Sequence, residues 1–239
     1  MSLRRTSNQY DRQRLLEAAA QARARGKRRR AISLYRWVLA VERNNAELHG
    51  KLAPLLAETG QDFDAWISFR TSAQAALREG REDKALAVYR EASQHLPREI
   101  EAWQSLARVL AKRGEEAEAV ETLLEGSRNF RSPYLRPQAI HLLRRARAIS
   151  PWHYETVLEL AAVLRATKQC EEARMLLEGL AQRSRGRYLR RVRRAELRLD
   201  PGFVSLWRLL GSGLRSEPDE VETSDPKGVV ALHPRRAQR

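Results

Sequence analysis

Apolar residues recur along most of the chain with the three- and four-residue spacing of one helical face. The clearest run covers residues 84–131, where three such stripes are separated by short polar turns. Small and large residues repeat within this run. The repeated residues are Ala85, Tyr89 and Ala92 and, 34 positions later, Ala119, Leu123 and Gly126. A fixed period of this length predicts helices that pack as repeated pairs.

An opening helix stands between these two copies. Its pattern residues are Trp103, Leu106, Ala107 and Leu110. Ala107 and Ala119 are small where two antiparallel helices must approach closely, and Pro97 ends the preceding helix because its nitrogen cannot donate to the hydrogen-bond ladder. The segment resembles the tetratricopeptide repeat (TPR), whose units read W-x2-L-[GA]-x2-[YL] and then A-x3-[FYL]-x2-[AG]. The resemblance implies an all-α, right-handed solenoid of antiparallel helix pairs.

The same spacing, less regular, extends the prediction to about twelve helices. Two stretches break the repeat. In residues 46–79, Pro54 stands inside a predicted helix and should kink or shorten it. The helix predicted over residues 62–78 fits two overlapping units, so it either serves in both or belongs to an insertion. The pattern in residues 132–153 predicts one helix that resembles the second helix of a unit, with no first helix before it.

The last predicted helix has the pattern of an opening helix, but no second helix follows it. Trp207, Leu210, Gly211 and Leu214 spell W-x2-L-G-x2-L. Trp207 either caps the array against the preceding helix, which we favour because terminal repeats are commonly atypical, or leaves an apolar face for another molecule. We expect residues 1–8 and 215–239 to be disordered, because they are polar and lack an apolar period. The array should therefore span residues 9–214.

Charge and composition narrow the class of protein. The net charge is +15, and 39 of the 45 basic residues are arginine. Codon usage in a GC-rich genome would explain this excess, and so would bidentate binding of carboxylates or phosphates. The single cysteine, Cys170, excludes an intrachain disulfide. No apolar run follows the basic N-terminus or approaches about 20 residues, so we expect a cytoplasmic protein with no signal peptide and no membrane span.

No pattern typical of catalysis or metal binding is present. The five histidines are scattered, and none has a second histidine, cysteine or carboxylate at a repeated metal-ligand spacing. Cys170 has no histidine near it in sequence, which favours a bystander thiol over a nucleophile. A glycine-rich phosphate loop, a nucleophile elbow and paired carboxylates are all missing. We therefore expect no enzymatic activity, no cofactor and no metal.

The first candidate binding surface follows from the resemblance. In TPR proteins the opening helices of successive units line a concave groove. In the frames 66–99 and 100–133, the groove would be lined by Arg70, Gln74, Arg78, Gln104, Arg108 and Lys112. Each trio recurs at four-residue spacing and so lies on one helical face. The strip would suit an acidic peptide or a C-terminal carboxylate, unless these cations form only a solvated face.

The family's carboxylate clamp uses Asn where this chain has Gln or Ala, so its specific activity is not carried over.

The second candidate surface is the helix predicted over residues 187–199. Its candidate anion- or phosphate-binding residues are Arg187, Arg190, Arg191, Arg194 and Arg198. Residues 183–198 hold eight Arg against Glu196 alone, and residues 1–30 hold ten Lys or Arg against two acids.

Basic clusters of this density attract phosphates in a salt-dependent way, but few aromatic residues are interleaved for stacking on bases. A third interpretation is internal: acidic residues of the tail fold back onto the arginine helix until a partner displaces them. These residues are Glu217, Asp219, Glu220, Glu222 and Asp225. The sequence thus predicts a non-catalytic adaptor or scaffold for another protein, with an acidic segment favoured. The alternative is a nucleic-acid-associated protein that uses its terminal arginine clusters.

Overall fold

The computed structural model describes residues 11–214 and 219–221, and most of these residues are helical. They form twelve α-helices and two single 3-10 turns, Arg128–Phe130 and Pro133–Leu135. The α-helices are α1 Arg12–Ala24, α2 Arg28–Val41, α3 Ala46–Glu58, α4 Asp62–Arg78, α5 Glu82–His95, α6 Ile100–Lys112, α7 Glu116–Ser127, α8 Arg136–Ile149, α9 Tyr154–Ala166, α10 Cys170–Arg183, α11 Gly186–Leu199 and α12 Phe203–Leu214. The predicted all-α class and number of helices are confirmed.

A shared turn shows which helices form pairs. Five helices are each followed, two residues after their last residue, by a residue with positive φ, the left-handed conformation that glycine adopts without strain. These residues are Gly26 after α1, Gly60 after α3, Gly80 after α4, Gly114 after α6 and Lys168 after α9. Because the turn follows both α3 and α4, α4 closes one helix pair and opens the next. Of the two alternatives left open for this helix, its packing against both α3 and α5 favours the one in which it serves in two overlapping units.

Cα positions group into two compact units, Met1–Leu106 and Ala107–Arg239, with the boundary inside α6. In the first unit, α4 packs against both α3 and α5, and its Phe69 is fully buried. Pro54 does not shorten its helix, since α3 runs from Ala46 to Glu58, and the alternative of a kink stays a prediction. The buried apolar face of α3, which includes Pro54 itself, offsets the missing amide donor.

In the second unit, α8 packs against both α7 and α9, and α10 lies against α9 and α11. Its core is a continuous cluster of aliphatic side chains around Leu143, Leu160, Leu164 and Leu177. Helix α8 has no opening helix of its own, as the sequence predicted, and the two 3-10 turns stand in that place.

The interpretation of Trp207 as a cap is wrong. Its side chain is 68% exposed, and α12 also presents Phe203, Val204, Leu206 and Leu210 to solvent. Helix α12 packs on α11 through its other side, where Ser212 is buried. Trp207 lies on the face that a second helix would cover, and none follows within the described residues. The disorder predicted for residues 1–8, 215–218 and 222–239 lies outside the described residues, whereas residues 219–221 are described and accept hydrogen bonds from the start of α11. The span 9–214 for the array stays a prediction.

Candidate functional site

The α4 trio of the predicted groove lies in the first unit. Arg70 is half-buried, whereas Gln74 and Arg78 are exposed. The Arg70 guanidinium lies 3.4 Å from Glu101 Oε2 and 6.0 Å from the centroid of the Trp66 ring. The same Glu101 oxygen accepts a hydrogen bond from Trp66 Nε1 at 2.9 Å. The chain's own carboxylate therefore already occupies the anion position beside Arg70.

The α6 trio is divided by the boundary between the two units. Gln104 belongs to the first unit, whereas Arg108 and Lys112 belong to the second. All three share one face of α6, as their spacing predicted, and Arg108 and Lys112 are exposed. The groove itself stays a prediction.

Helix α11 separates its apolar and basic residues as the sequence predicted. Val192 is fully buried, and Tyr188, Ala195 and Leu199 pack half-buried against the core cluster of the second unit. Glu196 is also buried, and both its carboxylate oxygens accept hydrogen bonds from Arg193, at 2.9 and 2.7 Å. The five candidate arginines of this helix all lie at the surface.

These arginines line a cleft of about 570 Å³ between α9 and α11. The lining residues are Tyr154, Glu155, Arg187, Tyr188, Arg190, Arg191 and Arg194. Four of the five arginines predicted from sequence thus meet in one cleft, and Arg198 does not line it. We call this site the α9–α11 cleft.

Two tyrosines form the base of the α9–α11 cleft. Tyr154 is buried, and its ring makes a T-shaped contact with that of Tyr188, with ring centroids 4.9 Å apart. Its hydroxyl donates to the Tyr188 carbonyl at 3.0 Å, and burial raises the pKa of Tyr154 well above its ordinary value. The guanidinium groups of Arg187 and Arg191 lie 5.0 and 5.8 Å from the Tyr188 and Tyr154 ring centroids, respectively. The tyrosines therefore fix where these two cations lie.

Glu155 is the only carboxylate among the described residues that line the cleft, and Asp219 contacts Arg187 from outside the lining. Glu155 accepts two hydrogen bonds from Arg191, at 2.8 and 3.2 Å. Arg190 and Arg194 are exposed and form no ion pair with any other described residue. The cleft thus has two guanidinium groups that can bind further carboxylates or phosphates without breaking an ion pair seen in the structure.

Sequence reasoning missed Tyr154 and Glu155, although a signal for them existed. Tyr154 and Tyr188 are separated by 34 residues, the repeat length found in residues 84–131. Residues one period apart occupy equivalent positions on neighbouring helix pairs. A search at that offset from the arginine helix would have brought α9 into the site.

Part of the acidic tail contacts α11, as the third interpretation anticipated. Asp219 Oδ1 accepts a hydrogen bond from the backbone amide of Arg187 at 2.6 Å, and its Oδ2 lies 3.4 Å from Arg187 Nε. The other acids predicted to take part, apart from Glu220, lie outside the described residues; they are Glu217, Glu222 and Asp225.

The basic N-terminal cluster is partly neutralised by ion pairs between helices. Arg12 Nε lies 2.6 Å from Glu42 Oε1, and Arg28 pairs with Glu58. Because these carboxylates compete with any phosphate, the cluster offers fewer free cations than its sequence suggests.

Among the described residues, no group of three or more His, Cys, Asp or Glu side chains is arranged to hold a metal ion. No helix in that part of the chain is both long and apolar enough to cross a membrane.

Comparisons with known proteins agree with the repeat pattern. Residues 76–136 match the family model of the tetratricopeptide repeat. No curated protein matches the chain significantly. TPR-like repeats assigned to a kinesin light chain of Podosopora anserina overlay with a TM-score of 0.37 at 18% identity, over 80% of this chain and 97% of theirs.

Two further solved structures are similar in the same sense. The MamA protein overlays with a TM-score of 0.31 at 16% identity, over 70% of this chain and 88% of its own. YrrB, a TPR protein with an unusual peptide-binding site, overlays with a TM-score of 0.28 at 13% identity, over 87% of this chain and 94% of its own. All three overlays are too distant to carry a functional conclusion. The family match confirms the resemblance to the tetratricopeptide repeat over residues 76–136, where the sequence pattern is strongest.

Proposed function

We propose that this protein is a non-catalytic cytoplasmic adaptor that holds a partner protein by an acidic segment, and that the α9–α11 cleft is the surface that holds it. Repeat arrays of helix pairs present extended surfaces for binding other proteins. The observation that carries the proposal is the charge of the cleft: four arginines and one carboxylate line it, and only Arg187 and Arg191 are paired with carboxylates of the described residues. Guanidinium groups bind carboxylates with paired, directional hydrogen bonds.

The aromatic residues of the cleft favour a peptide over a nucleic acid. Binding of single-stranded nucleic acid relies on exposed rings on which bases stack. Tyr154 is buried, and Tyr188 is covered by contacts with Tyr154 and Arg187. These rings contact arginines and each other, which leaves little ring surface for a base to stack on. The nucleic-acid alternative would then depend on phosphate contacts alone, and its affinity would fall steeply with salt.

Fluorescence anisotropy tests the proposal. A labelled polyglutamate peptide is titrated with the wild-type protein at low and at physiological salt, and a single-stranded oligonucleotide is titrated in parallel. We expect the peptide to bind at both salt concentrations. An oligonucleotide that binds more tightly than the peptide at physiological salt would contradict the proposal and favour the nucleic-acid alternative.

Charge reversal locates the binding site. The double variant Arg190→Glu/Arg194→Glu should weaken peptide binding at least about tenfold, because two charge-assisted contacts are replaced by repulsion. The matched control is Arg131→Glu/Arg165→Glu, which makes the same change of charge at two exposed arginines of the second unit outside the cleft. Equal losses in both variants would show a general charge effect and exclude the cleft as the site.

A further inference from the structure

Residues 219–221 dock against the start of α11 in an extended arrangement. The Arg185 amide donates to the Glu220 carbonyl at 2.8 Å, and Ser184 and Val221 form an isolated antiparallel bridge. Val221 also packs, half-buried, against the core cluster of the second unit. Together with the Asp219 contacts to Arg187, these interactions hold three successive residues.

The docked segment supplies a side-chain cap for the N-terminus of α11. The N-cap residue of α11 is Arg185, whose side chain makes no capping hydrogen bond. Asp219 takes that role, because its carboxylate accepts from the Arg187 amide near the positive end of the helix dipole. Arg187 also lines the α9–α11 cleft. The segment therefore sits at one end of the cleft, with its acidic side chain on a cation of the cleft.

We propose that residues 219–221 are an internal stand-in for the partner's segment, and that the partner binds as an extended acidic strand antiparallel to residues 184–187. This inference rests on the proposed function. The incoming carboxylate replaces Asp219 on the Arg187 amide, and the incoming backbone replaces Glu220 on Arg185. The partner is thus recognised by backbone pairing together with a carboxylate at one fixed position.

The antiparallel direction predicts where further acids belong in the ligand. Residues that precede the capping carboxylate run along α11 toward Arg190 and Arg194. These arginines lie about 4.5 and 10.5 Å beyond Arg187 along the helix axis, at about 1.5 Å per residue. An extended strand advances about 3.3 Å per residue. An acidic residue that reaches Arg190 should therefore stand one or two positions before the capping carboxylate. One that reaches Arg194 should stand about three positions before it.

The internal segment competes with any external ligand. A segment tethered to its own site acts at an effective concentration in the millimolar range. A partner must therefore bind well enough to displace it, and weakening the internal contact should strengthen external binding. Asp219 is the residue to change, because its side chain makes the contacts with Arg187.

The test uses the full chain and a labelled peptide with the sequence of residues 216–222, SEPDEVE. Affinities of the wild type, Asp219→Ala and Asp219→Asn are compared by anisotropy, with circular dichroism as a check on folding. We expect Asp219→Ala to bind the peptide at least about tenfold more tightly than the wild type. Asp219→Asn, which keeps a neutral hydrogen-bond acceptor for the α11 amide, should bind with intermediate affinity. It keeps the test valid if the alanine variant fails to fold.

Two controls complete the experiment. Asp225→Ala removes the same charge from the tail, and an equal gain in affinity there would assign the effect to net charge and overturn the inference. A peptide with Asn in place of its Asp should bind the Asp219→Ala variant more weakly than SEPDEVE does. Equal binding of SEPDEVE to the wild type and both Asp219 variants overturns the internal stand-in and leaves the proposed function intact. If SEPDEVE and polyglutamate bind none of these proteins, the proposed function fails.

Discussion

Replacing Gly179 with alanine should destabilise the second unit, although alanine is the better helix former. Gly179 lies inside α10, and an added Cβ would stand 2.5 Å from Trp152 Cη2 and 2.8 Å from Cζ3. Carbon atoms in contact normally lie about 3.5 to 4.0 Å apart, so the indole ring would have to move by about 1 Å. Arg183 limits that movement, because its guanidinium lies 4.1 Å from the ring centroid and donates to the Gly179 carbonyl.

Two opposing terms set the size of the effect. Overpacking of this kind costs about 1 to 3 kcal/mol, and the change from glycine to alanine inside a helix returns about 0.8 to 1.0 kcal/mol. We expect a net loss of about 1 kcal/mol, which corresponds to a fall in Tm of about 2 to 4 °C. The matched control is Gly211→Ala in α12, where an added Cβ meets nothing within 4 Å. That change should stabilise the protein by up to about 1 kcal/mol.

Urea unfolding, followed by circular dichroism, measures both changes. A double-mutant cycle identifies the cause: in a Trp152→Ala background the clash is gone, so Gly179→Ala should become neutral or stabilising. If Gly179→Ala costs the same with and without Trp152, or stabilises the wild type, the reasoning about this contact is wrong.

Three further predictions concern single side chains. Tyr154→Phe should cost about 0.5 to 1.5 kcal/mol, because it removes the hydrogen bond to the Tyr188 carbonyl. It should also flatten stability at alkaline pH: the folded pKa of Tyr154 is raised above the ordinary 10.0, so its contribution is complete below pH 10 and is lost as the pH rises above it. Trp207→Ala should change the free energy of unfolding by less than about 0.5 kcal/mol, since this ring is exposed. Lys168→Gly should stabilise by about 1 kcal/mol, because Lys168 has a φ of 64°. Urea midpoints check each value.

Helix positions were predictable because they depend on local patterns. The stretch predicted for α4, residues 62–78, matches the structure residue for residue, since polar turns bound an apolar period on both sides. The dual role of α4 was also visible, because its small and large residues fit two frames. That Pro54 does not shorten α3 was less predictable, since burial of the α3 face outweighs a local propensity.

The binding surfaces were less predictable because they depend on which side chains meet. Spacing places Arg70 on the predicted groove face, but only the structure shows Glu101 and Trp66 beside it. Spacing likewise shows the arginines of α11, whereas Glu155 and Tyr154 come from another helix. Charge counts therefore identify a basic helix, and ion pairing decides which cations stay available.

Arginine side-chain NMR tests the central claim most directly, because it reports on each guanidinium separately. The Nε–Hε signals are assigned by single Arg→Lys variants and followed as polyglutamate is added. The account predicts that the signals of Arg187, Arg190 and Arg194 shift together and saturate at one ligand concentration. Stationary signals from these three, with shifts at Arg70 and Arg78 instead, would contradict it and place the acidic segment on α4.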